Sequence, residues 1–284
     1  MNDISATPAS TPNPNYALGH SDSELERLAT QARVIDPITR RFFQEAGVKP
    51  GMRVLDVGSG VGDVAFLAAE LVGASGEVVG IDRASNALAI ARTRAEARSL
   101  HQVSFIEGDL SEMTFEQPFD AIVGRYVLQF IPDPAAALRK LVSYLRPNGV
   151  IVFHELDWSG IRSWPAAPTY DQCCQWCIEA LQRHGTEAHM GSKLYPTFVS
   201  AGLPTPTLRL EAVIAGGENA SDRLFLAAEL SRTLLPIMER LGVATADTVN
   251  IETLAARMQS EVIANGSTIV GHWQIGAWSR INTP

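Results

Sequence analysis

Short apolar segments alternate with helical patterns over residues 53–154, and this alternation limits the possible folds more than any other feature of the sequence. The apolar segments are rich in β-branched residues and are bounded by glycine, proline or aspartate. They are Arg53–Val57, Glu77–Ile81, Val103–Ile106, Ala121–Gly124 and Val150–His154. Strands that are apolar on both faces and are joined by helices form parallel sheets through right-handed crossovers. The sequence therefore predicts an α/β fold with a doubly wound, mostly parallel sheet.

Four segments are expected along the chain. Residues 1–15 are mostly Pro, Ser, Thr and Asn, which predicts a disordered leader. Residues 16–50 show helical periodicity and predict an N-terminal helical lid, a pair of helices broken near Pro37. Residues 51–155 form the core. Residues 156–284 are expected to supply cap helices at 221–241 and 250–264, with strands at Thr207–Ile214 and Thr268–Trp278 that complete a seven-stranded sheet.

Charge and composition exclude several classes of protein. The formal net charge of −8 argues against a protein that binds nucleic acid through phosphate neutralisation. No apolar run approaches the roughly 18 to 20 residues of a membrane span. The cysteines, Cys173, Cys174 and Cys177, lie too close together for a disulfide framework and lack the spacing of a metal site. We therefore expect a cytoplasmic protein without nucleic-acid or membrane partners and without a metal.

A glycine-rich turn follows the first predicted strand. The sequence Asp56-x-Gly58-x-Gly60-x-Gly62 lies between that strand and a helix, and glycine there removes the Cβ atoms that would hold a ligand away from the backbone. In an open α/β sheet this turn borders the ligand crevice. A ligand site is expected here, against the alternative of a tight turn without a ligand.

Acidic residues at the ends of the next two strands narrow the choice of ligand. Asp82 lies where a carboxylate would accept the hydroxyls of a ribose, in a dinucleotide or in an isolated nucleoside. The glycine spacing differs from the G-x-G-x-x-G of dinucleotide sites. Asp109 can accept from an adenine amino group while Leu110 packs on the base. Adenosine without a pyrophosphate fits best, although Asp82 and Asp109 could instead only cap helices.

The order of these motifs resembles class I S-adenosylmethionine-dependent methyltransferases. The resemblance rests on the glycine turn, Asp82, Gly108-Asp109, and the segment from Phe119 to Asp133, and it spans residues 54–155. It is most similar to the small-molecule branch that includes ubiquinone and menaquinone biosynthesis methyltransferases. The resemblance implies a Rossmann-like methyltransferase fold, with residues 51–155 as the cofactor-binding core and S-adenosyl-L-methionine as the cofactor.

The same resemblance implies roles for individual residues. The backbone of Gly58, Ser59 and Gly60 would face the methionine part of the cofactor, and Asp82 would bind its ribose. The other implied contacts are Arg83 beside the adenine, Asp109 and Leu110 holding the base, Arg125 at the methionine end, and Tyr16 and Gln31 in the lid. Arg125 could equally be a structural ion-pair partner.

The chemistry of methyl transfer places few demands on the protein. A sulfonium cofactor is already activated, so alignment and exclusion of water suffice unless the acceptor arrives protonated. His154, at the carboxyl end of the fifth predicted strand, is the candidate catalytic base, with a half-buried structural histidine as the alternative.

The C-terminal half is expected to contact the acceptor. Aromatic residues such as Trp158 and Trp164 could form a wall for an apolar or aromatic metabolite, or a satellite core, and the cap helices could cover the substrate or form a homodimer surface. We expect methyl transfer to O, N or C of a small molecule, as in secondary metabolism. The alternatives are an NAD(P)-dependent oxidoreductase and a non-catalytic adenosine-ligand binding protein.

Overall fold

The computed structural model describes residues 22–281, except for the side chains of residues 22–26 and 28. The strands are β1 Arg53–Val57, β2 Glu77–Asp82, β3 Val103–Glu107, β4 Phe119–Arg125, β5 Leu145–Asp157, β6 Arg162–Trp164, β7 Thr207–Gly216 and β8 Thr268–Arg280. The helices are α1 Asp22–Ala46, α2 Asp63–Val72, α3 Ser85–Ala97, α4 Pro134–Val142, α5 Pro168–His184, α6 Met190–Ser200, α7 Ser221–Arg240, α8 Ala246–Val249 and α9 Ile251–Asn265.

One twisted sheet crosses the molecule. Strands β3, β2, β1, β4 and β5 lie side by side in that order and are parallel, and β8 pairs antiparallel with β5. The other edge of β8 pairs with β7. The doubly wound α/β prediction is therefore confirmed. The parallel register brings the carboxyl ends of β1, β2 and β4 to one edge of the sheet, where a ligand crevice is expected.

The sheet differs from the seven strands predicted. Eight strands occur in residues 22–281, because the three-residue β6 pairs with Val270 and its two preceding neighbours in β8. Strand β7 occupies one edge of this part of β8. Strand β6 therefore pairs with the other edge of β8, the edge that pairs with β5 further along the strand. Its short sequence ends in Trp164, whose side chain is 80% exposed, so β6 has no buried periodicity that could predict it.

The prediction of two helices broken near Pro37 is wrong, because α1 is a single helix. It runs unbroken from Asp22 to Ala46 with Pro37 inside it. Interior proline costs about 3 kcal/mol. The same helix fully buries Phe42 and Phe43 against the sheet, and burial of one such side chain stabilises by about 1.5–3 kcal/mol. Packing against the sheet therefore offsets the loss of helix propensity.

A further hydrophobic cluster lies between α5, α7, α9 and the start of β8. Tyr170, Met238 and Met258 are fully buried in it. Helices α5 and α6 lie in a region for which the sequence predicted no elements. Cys173 and Cys177 of α5 both contact the Ser231 hydroxyl of α7, at 3.1 and 3.2 Å. These cysteines are unbridged and serve to pack the two helices.

In residues 22–281, no helix has both the length and the apolarity to cross a membrane. Within the same range, no group of three or more His, Cys, Asp or Glu side chains is arranged to hold a metal ion.

Candidate active site

A cavity of about 520 Å³ opens at the carboxyl ends of the parallel strands. Its floor is the turn after β1 together with the ends of β2 and β4. Helix α1 covers one side through Gln31 and Ile35, and helix α7 covers another through Leu230 and Leu234. The cavity is thus a single space that extends from the core of the sheet to the C-terminal cap.

The glycine turn is shaped by positive backbone angles. Gly58, Gly60 and Gly62 have φ values of 67°, 51° and 93°, which L side chains rarely adopt. A Cβ on Gly58 would lie 2.7 Å from the Val127 side chain. The turn is closed by the Ser59 amide, which donates to the Ile81 carbonyl at 2.9 Å. Backbone therefore lines the cavity at Gly58, where a side chain would clash with Val127.

Asp82 fastens this turn to β2. One carboxylate oxygen accepts from the Gly60 amide at 2.8 Å, and the other accepts from the Ala84 amide at 2.9 Å. A carboxylate offers about four acceptor positions. Asp82 lines the cavity, so the remaining positions are available to the hydroxyls of a ligand. The alternative capping role and the ligand-binding role are therefore compatible.

Asp109 and its neighbours are divided between the cavity and the surface. Gly108, Leu110 and Arg83 line the cavity, whereas Asp109 does not. The Asp109 carboxylate accepts from the Ser111 amide and hydroxyl at 2.7 and 2.6 Å and forms an ion pair with Arg83 at 2.9 Å. These contacts, the Ser111 hydroxyl foremost, lower the pKa of Asp109. Leu110 and Arg83 thus line the cavity, and Asp109 holds their turn.

Arg125 lines the cavity and also forms a structural ion pair. Its Nη1 lies 2.6 Å from an Asp36 carboxylate oxygen and 3.1 Å from the Thr39 hydroxyl, both on α1. Its side chain is 4% exposed. Burial raises the pKa of Asp36, and the nearby Arg125 opposes that rise. Arg125 therefore joins α1 to the end of β4.

His154 is fully buried and does not line the cavity. Its Nε2 lies 2.8 Å from the Gln274 side-chain oxygen, and its Nδ1 lies 3.0 Å from the Thr39 hydroxyl. An amide oxygen only accepts, so Nε2 carries the proton. Burial lowers the pKa of His154 to about 3, which keeps the ring neutral. This geometry gives no support to a catalytic base at His154 and fits the alternative, a structural histidine.

Two groups beside the glycine turn lack the partners that buried polar atoms require. The Ser59 hydroxyl lines the cavity, and it has no hydrogen-bond partner among the described residues. Both carboxylate oxygens of Asp56 are buried, and neither has a hydrogen-bond partner among the described residues. Burial raises the pKa of Asp56 well above its ordinary value. Buried polar groups are usually satisfied, so the Ser59 hydroxyl fits a site that receives a polar ligand, whereas Asp56 does not line the cavity.

The remaining predicted lid residues are Gln31 and Tyr16. The Gln31 side-chain oxygen accepts from Arg27 at 2.8 Å, and both residues line the cavity. Tyr16 lies outside the described residues.

The sequence prediction missed Arg223 and His272, which line the cavity on the cap side. Arg223 is 6% exposed. It lies on the helical stripe that continues through Leu226 and Leu230, at the i, i+3 and i+7 spacing of one helix face. A charged residue on an otherwise apolar stripe is the sequence signal that could have identified it.

Comparison with known proteins adds to this geometry. Residues 48–202 match the family model described as a methyltransferase domain. Demethylmenaquinone methyltransferases of Staphylococcus saprophyticus and Staphylococcus aureus are 32% and 33% identical over 135 and 134 residues, which is 47% of this chain in each case. The matches cover 54% and 52% of those proteins, so the chain spans about half the length of the curated relatives.

Solved structures share the fold. A phosphoethanolamine N-methyltransferase of Haemonchus contortus, in complex with phosphomonomethylethanolamine and S-adenosylhomocysteine, aligns with a TM-score of 0.52 at 18% identity, over 91% of this chain and 53% of that one. A coclaurine N-methyltransferase bound to N-methylheliamine and S-adenosylhomocysteine aligns with a TM-score of 0.52 at 13% identity, over 87% of this chain and 72% of that one.

Proposed function

Because this chain belongs to the methyltransferase-domain family, we propose that it transfers a methyl group from S-adenosylmethionine to O, N or C of a small, largely apolar or aromatic metabolite. One observation carries the proposal. A single cavity joins the glycine turn and Asp82 to the apolar side chains of α7, so a cofactor and an acceptor would share one enclosed space. Transfer requires this proximity.

The residues at the sheet end of the cavity fit the cofactor. The backbone of Gly58, Ser59 and Gly60 would face its methionine part, and the free acceptor positions of Asp82 would take its ribose hydroxyls. Leu110 and Arg83 would contact the base, with Asp109 holding their turn. Arg125 lies toward the methionine end, and Gln31 lies on the lid, to which Tyr16 is also assigned. When bound, the cofactor supplies a methyl group already activated by a sulfonium.

The cap end of the cavity fits an apolar acceptor. Leu226, Leu230 and Leu234 lie on one face of α7, and Trp158 lines the same end. These side chains would exclude water and hold the acceptor so that the nucleophile, the methyl carbon and the sulfur are collinear. Alignment and exclusion of water are therefore the contributions we assign to this chain.

The cellular setting belongs to the same proposal. The net charge of −8 supports a small-molecule acceptor over nucleic acid, and the buried, unbridged cysteines support a reducing cytoplasmic compartment. A role in secondary metabolism and a homodimer are further predictions. Light scattering of the purified chain tests the homodimer.

Label transfer tests the proposed function. The purified protein is incubated with S-adenosylmethionine carrying a deuterated methyl group and with a cellular metabolite extract, and the products are analysed by mass spectrometry. We expect at least one deuteromethylated metabolite that is absent when heat-denatured protein is used. A protein that binds S-adenosylhomocysteine but labels nothing would favour the non-catalytic alternative. Oxidation of NADH with carbonyl compounds would instead favour the oxidoreductase.

A further inference from the structure

Arg223 is a buried cation in the wall of the cavity. It lies near the start of α7, is 6% exposed and lines the cap end of the cavity. Its Nη2 lies 3.2 Å from Nδ1 of His272, which lines the same end. A Cβ on Gly271 would lie 2.5 Å from Nε of Arg223, so the guanidinium lies directly against this glycine. Arg223 is therefore held in a fixed place beside the cavity.

No carboxylate in the described part of the chain forms an ion pair with Arg223, and the titratable groups that raise its pKa are tyrosine and cysteine side chains. Burial raises the pKa of Tyr126 and Tyr170, so their hydroxyls are neutral. A guanidinium cannot lose its proton in a protein. Burying a charge that no opposite charge balances is unfavourable. The site is thus electrostatically incomplete without an anion.

His272 is a neutral neighbour and adds a donor. Burial and the adjacent Arg223 lower its pKa well below the ordinary value. Because Nδ1 accepts from Arg223, the ring proton lies on Nε2, which can donate to a ligand. The Trp158 ring packs edge-on against His272 with centroids 4.2 Å apart. The cap end therefore combines two polar donors with apolar walls.

We propose that Arg223, assisted by His272, binds a carboxylate of the methyl acceptor, so that the acceptor is a largely apolar acid. The planar fork of a guanidinium matches the two oxygens of a carboxylate. The leucines of α7 would contact the apolar body of the same molecule. This inference rests on the proposed function, because it assigns the second ligand of the same cavity.

Calorimetry with paired probes tests the assignment. Benzoate, 2-naphthoate and decanoate are each titrated into the protein, with and without saturating S-adenosylhomocysteine, and compared with their uncharged primary amides. We expect at least one carboxylate to bind about 10-fold or more tightly than its amide, as charge-assisted hydrogen bonds provide. If no carboxylate is preferred to its amide, the proposal is overturned.

Variants identify the residue responsible. In Arg223→Gln the ratio of carboxylate affinity to amide affinity should fall to about 1. In Gly271→Ala the new Cβ displaces the guanidinium, so this ratio should also fall. Arg33→Gln is the matched control, because Arg33 pairs with the adjacent Asp222 at the surface and does not line the cavity. A preference that survives in Arg223→Gln contradicts the proposal. The Gly271→Ala variant gives a second result should Arg223→Gln not fold.

The same titrations separate this inference from the proposed function. Arg223→Gln should bind S-adenosylhomocysteine as the parent does. A fall of more than about 10-fold would assign Arg223 to the cofactor's own carboxylate and overturn the proposal. If the parent does not bind S-adenosylhomocysteine, the proposed function fails, while the carboxylate preference measured without it still decides the role of Arg223.

Discussion

Single residues at this site combine a structural contact with a position beside the cavity. Asp82 caps two backbone amides and still lines the cavity, and Arg125 lines it while pairing with Asp36. The sequence indicated Asp82 through its place at the end of a strand, and it indicated Arg125 through the resemblance to methyltransferases. It could not indicate that His154 is enclosed, because Thr39 and Gln274 come from α1 and β8, which are distant along the chain.

His154→Ala is predicted to affect stability rather than proton transfer. The substitution removes one buried hydrogen bond from Thr39 and one from Gln274, so the free energy of unfolding should fall by about 1–3 kcal/mol in urea titrations. The pH profile of turnover around neutrality should not move, because the ring is neutral there. His101→Ala, at an exposed position, should leave both quantities unchanged. A displaced pH profile in His154→Ala would restore the catalytic-base hypothesis.

Glu155 is predicted to make stability depend on pH. Its Oε1 accepts from the amides of Val127 and Leu128 at 2.9 and 2.8 Å, and burial raises its pKa from 4.5 to about 8. Between pH 4.5 and about 8 the native state holds a proton that the unfolded chain releases. The stability that Glu155 contributes is therefore complete below pH 4.5 and is lost as the pH rises through about 8.

Glu155→Gln should therefore show a smaller decrease in melting temperature across that pH range than the parent. Glu112→Gln, at an exposed carboxylate, is the control and should follow the parent. Parallel melting curves for Glu155→Gln and the parent would contradict the raised pKa.

At the scale of elements, buried strands were predictable and several helices were not. β1 occurs at the predicted residues because both faces are apolar. Helix α1 continues through Pro37 because its aromatic face packs on the sheet, which no local pattern reports. Helices α5 and α6 contain prolines and polar residues, and their burial comes from α7, α9 and β5. Tertiary packing thus decided the elements that the sequence left open.

The glycine turn is predicted to tolerate no side chain at Gly58. Gly58→Ala adds a clash with Val127 to the strain of a positive φ, so we expect affinity for S-adenosylhomocysteine to fall by about 10-fold or more in calorimetry. Gly266→Ala, with a φ of 60° and no atom within 4 Å of the new Cβ, carries the strain without the clash. Equal affinities in the two variants would remove the turn from the cofactor site.

Helix α1 is predicted to be stabilised when the cofactor site is filled. Residues 27–35 line the cavity through Arg27, Gln31, Val34 and Ile35. Ligand at about 100 times its Kd stabilises the bound form by about 2.7 kcal/mol. Amide hydrogen exchange in this segment should therefore slow on adding S-adenosylhomocysteine, whereas exchange in α9, which does not line the cavity, should change less. An unchanged α1 would contradict its assignment as a lid.

At the scale of the whole molecule, α1, the sheet edge and the cap enclose one cavity. The order of motifs over residues 54–155 predicted the family, which the match over residues 48–202 confirms. The cap matched no motif, so its contribution, including Arg223, became visible only when the chain was folded. The division into a lid, a core and a cap stays a prediction for deletion and exchange experiments.

Calorimetric titration with S-adenosylhomocysteine tests the central claim most directly. We predict binding at a single site by the parent and a loss of about 1–3 kcal/mol in binding free energy for Asp82→Ala. Asp133→Ala should bind as the parent does, since Asp133 also accepts from a backbone amide, at 2.8 Å, but lies outside the cavity. A folded parent that does not bind, or an Asp82→Ala variant that binds as tightly as the parent, would contradict the claim.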